Sequence, residues 1–261
     1  MSVFQVVVLL VAAFVLGSVI GSFLNVCIYR IPAGESVVSP RSRCQSCKTT
    51  IRWYHNIPVF SWVLLRGKCA YCGEKVSVRY ALVEALTGLV YVFTLWHFGP
   101  HPVLPLIWIF CSALIVITFV DLDHKIIPDV ISLPGILFGF ACSFVVPWTN
   151  WIDSLLGIVV GYGSLWIVGI AYYMLTKKDG MGGGDLKLLA MLGAFLGWKA
   201  VFPVIFFSSL VGSIVGVPMA ILGKKGRGMM LPFGPFLAGG GLFYFFWGPQ
   251  IINMYFSFFS P

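Results

Sequence analysis

Nine acidic residues occur in the 261-residue chain, six of them aspartates. Four of those aspartates stand where apolar runs begin or end. The stretch FVDLDHKIIPDV places Asp121 at the end of one run, Asp123 two residues on, and Asp129 at the start of the next. The stretch GMGGGDLKLLAMLGAF places Asp185 after a run holding four glycines. An ionisable group bordering a membrane segment is costly to bury, so it marks a functional position by default. Two such carboxylates brought together share a proton, because like charges a few ångströms apart do not both ionise. The ionised one can deprotonate a water while the protonated one polarises a carbonyl, which is the chemistry of an aspartic peptidase.

Each aspartate also has a local reading. Asp129 follows Pro128 and precedes an apolar run, an N-cap setting, and Asp185 could cap a helix in the same way. Asp123 reads as solvated or salt-bridged, and Asp179 as a turn residue in KKDG. Asp121 fits its local role worst, since a negative charge at the end of a helix opposes the helix dipole. The glycines before Asp185 leave room for an extended peptide backbone to approach. A phosphate loop is the weaker alternative, because the run follows an apolar helix rather than a strand and lacks the G-x-x-x-x-G-K-[ST] spacing.

A second group of reactive side chains is CQSC and CAYC, holding Cys44, Cys47, Cys69 and Cys72 with 21 residues between the pairs. Two C-x2-C knuckles at this spacing read as a structural tetrathiolate zinc site, with Gly73 permitting the second knuckle's turn. Two disulfides, a thiol switch or unpaired thiols are the competing readings; a reducing compartment disfavours the first. Cys27, Cys111 and Cys142 lie in apolar runs and read as small core residues.

The elements that must position these groups are membrane helices. Hydrophobic residues make up 59% of the chain and charged residues 10%, and the mean hydropathy is +0.96. Those values exclude an ordinary water-soluble core. The apolar runs are continuous, without the alternation of a strand-built barrel. They predict an all-α polytopic membrane protein of about eight transmembrane helices: 3–28, 81–98, 103–120, 129–146, 154–175, 186–198, 201–222 and 231–256. The start reads as a retained first membrane helix rather than a cleavable signal. No internal repeat supports an inverted-repeat transporter.

Three parts follow: a first transmembrane helix at 1–28, a small cytoplasmic zinc-knuckle loop carrying the four cysteines at 29–80, and a transmembrane core at 81–261. In this arrangement 16 of the 17 Lys and Arg residues, among them Lys224, Lys225 and Arg227, fall on one side, and only Lys199 falls on the other. That side is cytoplasmic by the positive-inside rule, which puts both termini outside. Topology accounts for the net charge of +8 without a nucleic-acid partner, with the lipid bilayer and its anionic head groups as the natural contact.

Taken in order, GSFLNVCIYRIP, the paired knuckles, RYALVEALTG, DLDHKIIPD, GMGGGDLKLLAMLGAFLG and LPFGPFLAGGG make the chain resemble the bacterial type 4 prepilin peptidases, membrane aspartic proteases of the GxGD class. The resemblance covers nearly the whole chain. It implies catalytic roles for Asp121 and Asp185, with Asp123 and Asp129 as supporting residues at most. It further implies a protein of the inner membrane that removes the basic leader of prepilins and pseudopilins on the cytoplasmic side, for pilus or type II secretion machines. Fuller members of the family then N-methylate the new terminal residue with S-adenosylmethionine, and the cysteine loop is associated with that form. No soluble nucleotide fold is present to hold the methyl donor. Asn25 and Glu84 are weak candidates for it as rare polar groups bordering apolar helices, against a plain polar contact between helices. The competing functions are a peptidase without methylation, a proton-coupled transporter using aspartate relays, and a membrane assembly scaffold.

Overall fold

A computed structural model describes residues 2–178, 180–222 and 231–259. Asp179, Lys224, Lys225 and Arg227 lie outside the described residues. The helices are α1 (Val3–Arg30), α2 (Phe60–Leu64), α3 (Val78–Phe98), α4 (Leu104–His124), α5 (Asp129–Cys142), α6 (Trp151–Thr176), α7 (Gly183–Leu196), α8 (Trp198–Leu222) and α9 (Gly234–Phe259), with a 3-10 turn at Trp53–His55. Among the described residues, β pairing is limited to two isolated bridges, Arg43 with Thr50 and Lys68 with Lys75. The eight expected apolar helices are all present and in order. Five of them, α1, α3, α4, α6 and α8, are long and apolar enough to cross a bilayer. By contrast α5 and α7 have 14 residues each, or about 21 Å of helix against a hydrocarbon core of about 30 Å.

The chain divides into two compact units, Met1–Val116 and Ile117–Pro261, so the boundary falls within α4. In the first unit α1 begins with a capping box. Ser2 accepts from the Gln5 amide, and the Gln5 side chain accepts from the Ser2 amide. The helix then lies along α3 through small residues: a Cβ on Gly17 would stand 2.8 Å from the Gly88 Cα, and one on Gly21 would stand 2.7 Å from the Glu84 Cα. Tyr91 stacks on Trp108 at 4.6 Å between centroids, its hydroxyl meets Ser112 at 3.0 Å, and the Trp108 indole donates to Thr94 at 2.7 Å.

The second unit is built around α7. All ten residues from Leu186 to Leu196 other than Lys187 are buried. In hydrocarbon the hydrophobic effect does not draw helices together, so close backbone packing and internal hydrogen bonds must do so. The face of α6 that meets α7 is accordingly Ser154, Gly157, Gly161 and Leu165. Gly157 and Gly193 touch backbone to backbone with no room for a side chain on either, and a Cβ on Gly161 would stand 2.7 Å from the Leu189 carbonyl oxygen. Ser154 donates to the Ala194 carbonyl at 2.6 Å. Beyond the end of α7, the Trp148 indole donates to the Phe195 carbonyl at 3.1 Å and the Trp198 indole to Asp153 at 3.0 Å.

Two N-caps differ from the sequence expectation. Gly182, not Asp185, is the N-cap of α7, so the helix begins three residues before the expected 186 and Asp185 lies inside its first turn. Pro128, not Asp129, caps α5, because Asp129 is drawn into an ion pair with Lys187 at 2.7 Å. α5 also ends at Cys142, short of the expected 146, as the chain turns ahead of Pro147. The tight α6–α7 contact yields a specific expectation. Gly157→Leu should cost about 3 kcal/mol by overpacking, whereas Gly163→Leu on the same helix, where nothing lies within 4 Å, should be near neutral. Denaturant titration in mild detergent compares the two.

Candidate active site

Asp121 lies in the last turn of α4 and is 5% exposed. Its Oδ2 accepts the Gly234 amide at 2.9 Å. That amide is one of the donors that an α-helix leaves unpaired at its N-terminus, and Pro235, next in sequence, has no N–H to offer. A Cβ at position 234 would stand 2.7 Å from the same oxygen, so glycine is the residue that lets backbone and carboxylate meet. In the sequence, nothing in LPFGPF marks Gly234 as a partner of Asp121. The available signal was a glycine–proline pair at a helix start, which reads equally well as plain punctuation.

Asp185, half-buried, occupies the third position of α7. Its carboxylate accepts a hydrogen bond from the backbone of Gly182, and its charge interacts with that of Asp121. An acidic group at this position that reaches back to the N-cap amide is half of a capping box, so Asp185 caps its helix from inside the first turn. The structure thus brings Asp121 and Asp185, 64 residues apart in the chain, into one site. Asp123 is exposed. Asp129, 57% exposed, is held by Lys187, whose ammonium reaches both carboxylate oxygens at 2.7 Å. That pair ties the start of α5 to the start of α7.

The glycines before Asp185 do different jobs. A Cβ on Gly184 would stand 2.8 Å from the Ile127 Cβ, and one on Gly180 would run into the Tyr172 ring. Only Gly183 opens onto free space, while Gly182 stands beside the Asp185 carboxylate, 3.4 Å from its would-be Cβ. Two of the four are therefore packing glycines, and the room next to Asp185 comes from Gly182 and Gly183.

In the first unit the Sγ atoms of Cys44, Cys47, Cys69 and Cys72 lie within 4.8 Å of one another, and none is in a disulfide. Four thiolates bound about 2.3 Å from one centre sit about 3.8 Å apart, and Cys44 and Cys72 are 3.8 Å apart. The two knuckles repeat one design. The Cys44 amide donates to the Thr49 carbonyl and the Cys69 amide to the Glu74 carbonyl, while the amides of Lys48 and Gly73 return to Cys44 and Cys69. Gly73 (φ 73°) turns with positive φ, and Lys48 (φ 58°) does the same at the equivalent place in the first knuckle. Hydrogen bonds from Thr49, side chain first, pull the Cys47 thiol down to about 6, and amides of Tyr71 and Cys72 lower Cys69. Both shifts favour the thiolate form that a metal requires, while at Cys72 a lowering hydrogen bond from the Glu74 backbone is outweighed by burial and the three neighbouring thiols, which push it up to about 12. The set fits a tetrahedral soft-metal centre.

Asn25 and Glu84 are engaged by the protein itself. The Asn25 amide donates to the Tyr80 carbonyl at 3.0 Å. Glu84, 8% exposed, accepts from the Val59 amide at 2.7 Å and from the Ser22 hydroxyl. Asn25 thereby ties α1 to the first turn of α3, and Glu84 ties Val59 of the cysteine loop to α3, with Arg30 holding the carbonyls of Ser36 and Pro40 at 2.9 and 2.8 Å. Glu84→Ala strips the Val59 amide of its acceptor and should lower stability by about 1–3 kcal/mol, seen as an earlier thermal midpoint of the solubilised protein.

Comparison with known proteins agrees with this geometry. The bacterial peptidase A24 N-terminal domain profile matches residues 15–98, and the type IV leader peptidase family profile matches residues 108–217. The chain is similar to the prepilin leader peptidase/N-methyltransferase of Stutzerimonas stutzeri, 38% identical with 94% of this chain and 93% of the relative aligned. It is likewise similar to those of Pseudomonas aeruginosa, 38% identical over 93% and 92%, and Neisseria gonorrhoeae, 39% identical over 88% and 87%. No solved structure matches the chain. With relatives this similar aligned over about nine-tenths of both chains, and with the peptidase profile spanning both Asp121 and Asp185, the chain belongs to the type IV leader peptidase family.

Proposed function

We propose that this protein is an aspartic endopeptidase of the bacterial inner membrane that removes the basic leader of type IV prepilins and pseudopilins and then N-methylates the exposed terminus. What supports the peptidase half is that Asp121 and Asp185, at the ends of two apolar helices, are near enough for their charges to interact. One carboxylate, ionised, removes a proton from a water, whose oxygen attacks the scissile carbonyl. The other, protonated, donates its proton to the carbonyl oxygen. Collapse of the tetrahedral intermediate breaks the C–N bond and returns a proton to the leaving amine. The Gly234 amide orients Asp121 throughout, and the space beside Gly182 and Gly183 admits the substrate backbone. Relay carboxylates of a transporter belong near the bilayer midplane, whereas these lie in a last and a first helical turn, which favours the peptidase. The bias of Lys and Arg puts the site at the cytoplasmic face and both termini outside.

The methylation half rests on the family and on the cysteine loop. S-adenosylmethionine, when bound, supplies an electrophilic methyl group to the new uncharged α-amine. Zinc at Cys44, Cys47, Cys69 and Cys72 is the structural staple of a loop too small to bury much core, with no coordination position left open for chemistry.

Purified protein in nanodiscs with a prepilin and labelled methyl donor tests both halves. Asp121→Asn and Asp185→Asn should each lower cleavage by about 10^3-fold or more, and Gly234→Ala by about 10- to 100-fold through misplacement of Asp121. Undiminished cleavage in both Asn variants would remove the aspartyl mechanism and favour a scaffold; cleaved but unlabelled product would remove methylation. Metal analysis should find about one zinc per chain, lost in the Cys44→Ser, Cys69→Ser double variant. Folded, zinc-free native protein would contradict the staple.

A further inference from the structure

The segment from Trp53 to Lys68 has an arrangement that leader cleavage and zinc binding leave unused. In α2, Phe60, Val63 and Leu64 share one face at i, i+3 and i+4, and they are 58%, 60% and 65% exposed. The opposite side is polar and buried: the Ser61 hydroxyl donates to the Tyr54 carbonyl at 3.1 Å and accepts from the Ile57 amide at 3.0 Å. Trp53, in the 3-10 turn joined to α2 by that hydrogen bond, is 80% exposed. A water-bathed loop would place these side chains the other way round.

The depth of α2 is fixed by Glu84. That residue lies six positions into α3, about 9 Å along the axis, and its carboxylate holds the Val59 amide at 2.7 Å. α2 therefore starts alongside a membrane-crossing helix, well past its end. The backbone is strained to get there. Val59, a β-branched residue, sits at φ 62°, ψ −52°, with the Phe60 amide donating to the Pro58 carbonyl at 2.6 Å, a γ-turn of the rare hand. Such strain persists only where surroundings enforce it. Exposed Arg66 and Lys68 follow the apolar face directly.

We propose that α2 and Trp53 lie in the boundary between head groups and acyl chains of an anionic leaflet, with Phe60, Val63 and Leu64 in contact with acyl chains and Arg66 and Lys68 at the phosphates. The occupant of this face is lipid because the face begins at the depth of a membrane helix and ends in cations that match anionic head groups. An indole suits the same zone. The proposal rests on α1 and α3 spanning the bilayer and is independent of the peptidase chemistry.

The full-length protein carrying benzoylphenylalanine in place of Leu64 tests it, irradiated in nanodiscs of phosphatidylethanolamine and phosphatidylglycerol and read by mass spectrometry. Lipid adducts should form in a yield within about twofold of the same probe replacing Val7 on the exposed face of α1, while a probe replacing exposed Gln45 in the first knuckle should give almost none. Arg66→Gln with Lys68→Gln should lower the yield at position 64 at least about threefold. Adducts to another part of this chain or to a second copy, or a probe quenched by water in protein that remains monodisperse, would overturn the proposal. A probe replacing Val63 repeats the measurement should the first variant fail to fold.

Discussion

Everything in the second unit depends on how α7 is held. A helix with ten buried residues in a membrane protein gains little from leaving lipid for protein, so its position must come from contacts that lipid cannot offer. The backbone contact of Gly157 with Gly193, the approach of Gly161 to Leu189 and the Ser154 hydrogen bond are contacts of that kind. They set the height and rotation of α7, and with them the place of Asp185 in its first turn. The Lys187–Asp129 pair makes a further attachment at the same end. A carboxylate must be located to within about 0.5 Å for chemistry, and backbone-to-backbone packing has none of the rotamer freedom that larger side chains would introduce.

The two carboxylates are housed differently. Asp185 is supported by its own helix start, through Gly182. Asp121 stands at a helix end, where the backbone repels it, and finds its support from another helix start, through Gly234. Both are thus oriented by main-chain donors, which cannot swing away. The first unit follows a similar logic, with buried Glu84 and Asn25 holding main-chain groups of Val59 and Tyr80.

Much of this was legible in the sequence. Eight apolar runs became eight helices because continuous hydrophobicity over a span leaves the backbone little alternative to a helix. Asp121 and Asp185 stood out because carboxylates are scarce in such a chain, and the paired C-x2-C spacing named four thiols that converge. The missing parts were relational. That Asp129 pairs with Lys187 depends on a contact 58 residues away, which outweighed a local capping preference. The role of Gly234 needs knowledge of what a missing side chain would strike. The split among the glycines before Asp185 depends on the neighbouring Tyr172 and Ile127, and the outward-facing apolar side of α2 runs against the pattern by which short amphipathic helices are read.

The short α5 carries one more consequence. Val130, Leu133 and Leu137 are 65%, 47% and 72% exposed, so a helix of about 21 Å presents an apolar flank to a hydrocarbon layer of about 30 Å. A bilayer meets such a mismatch by thinning at a modest energetic cost per ångström. Lipid beside α5 is thereby drawn toward the midplane at the helix whose first residue, Asp129, is tied to the helix of Asp185. Water and polar backbone then have a shorter hydrocarbon path to the carboxylates than anywhere along the full-length helices.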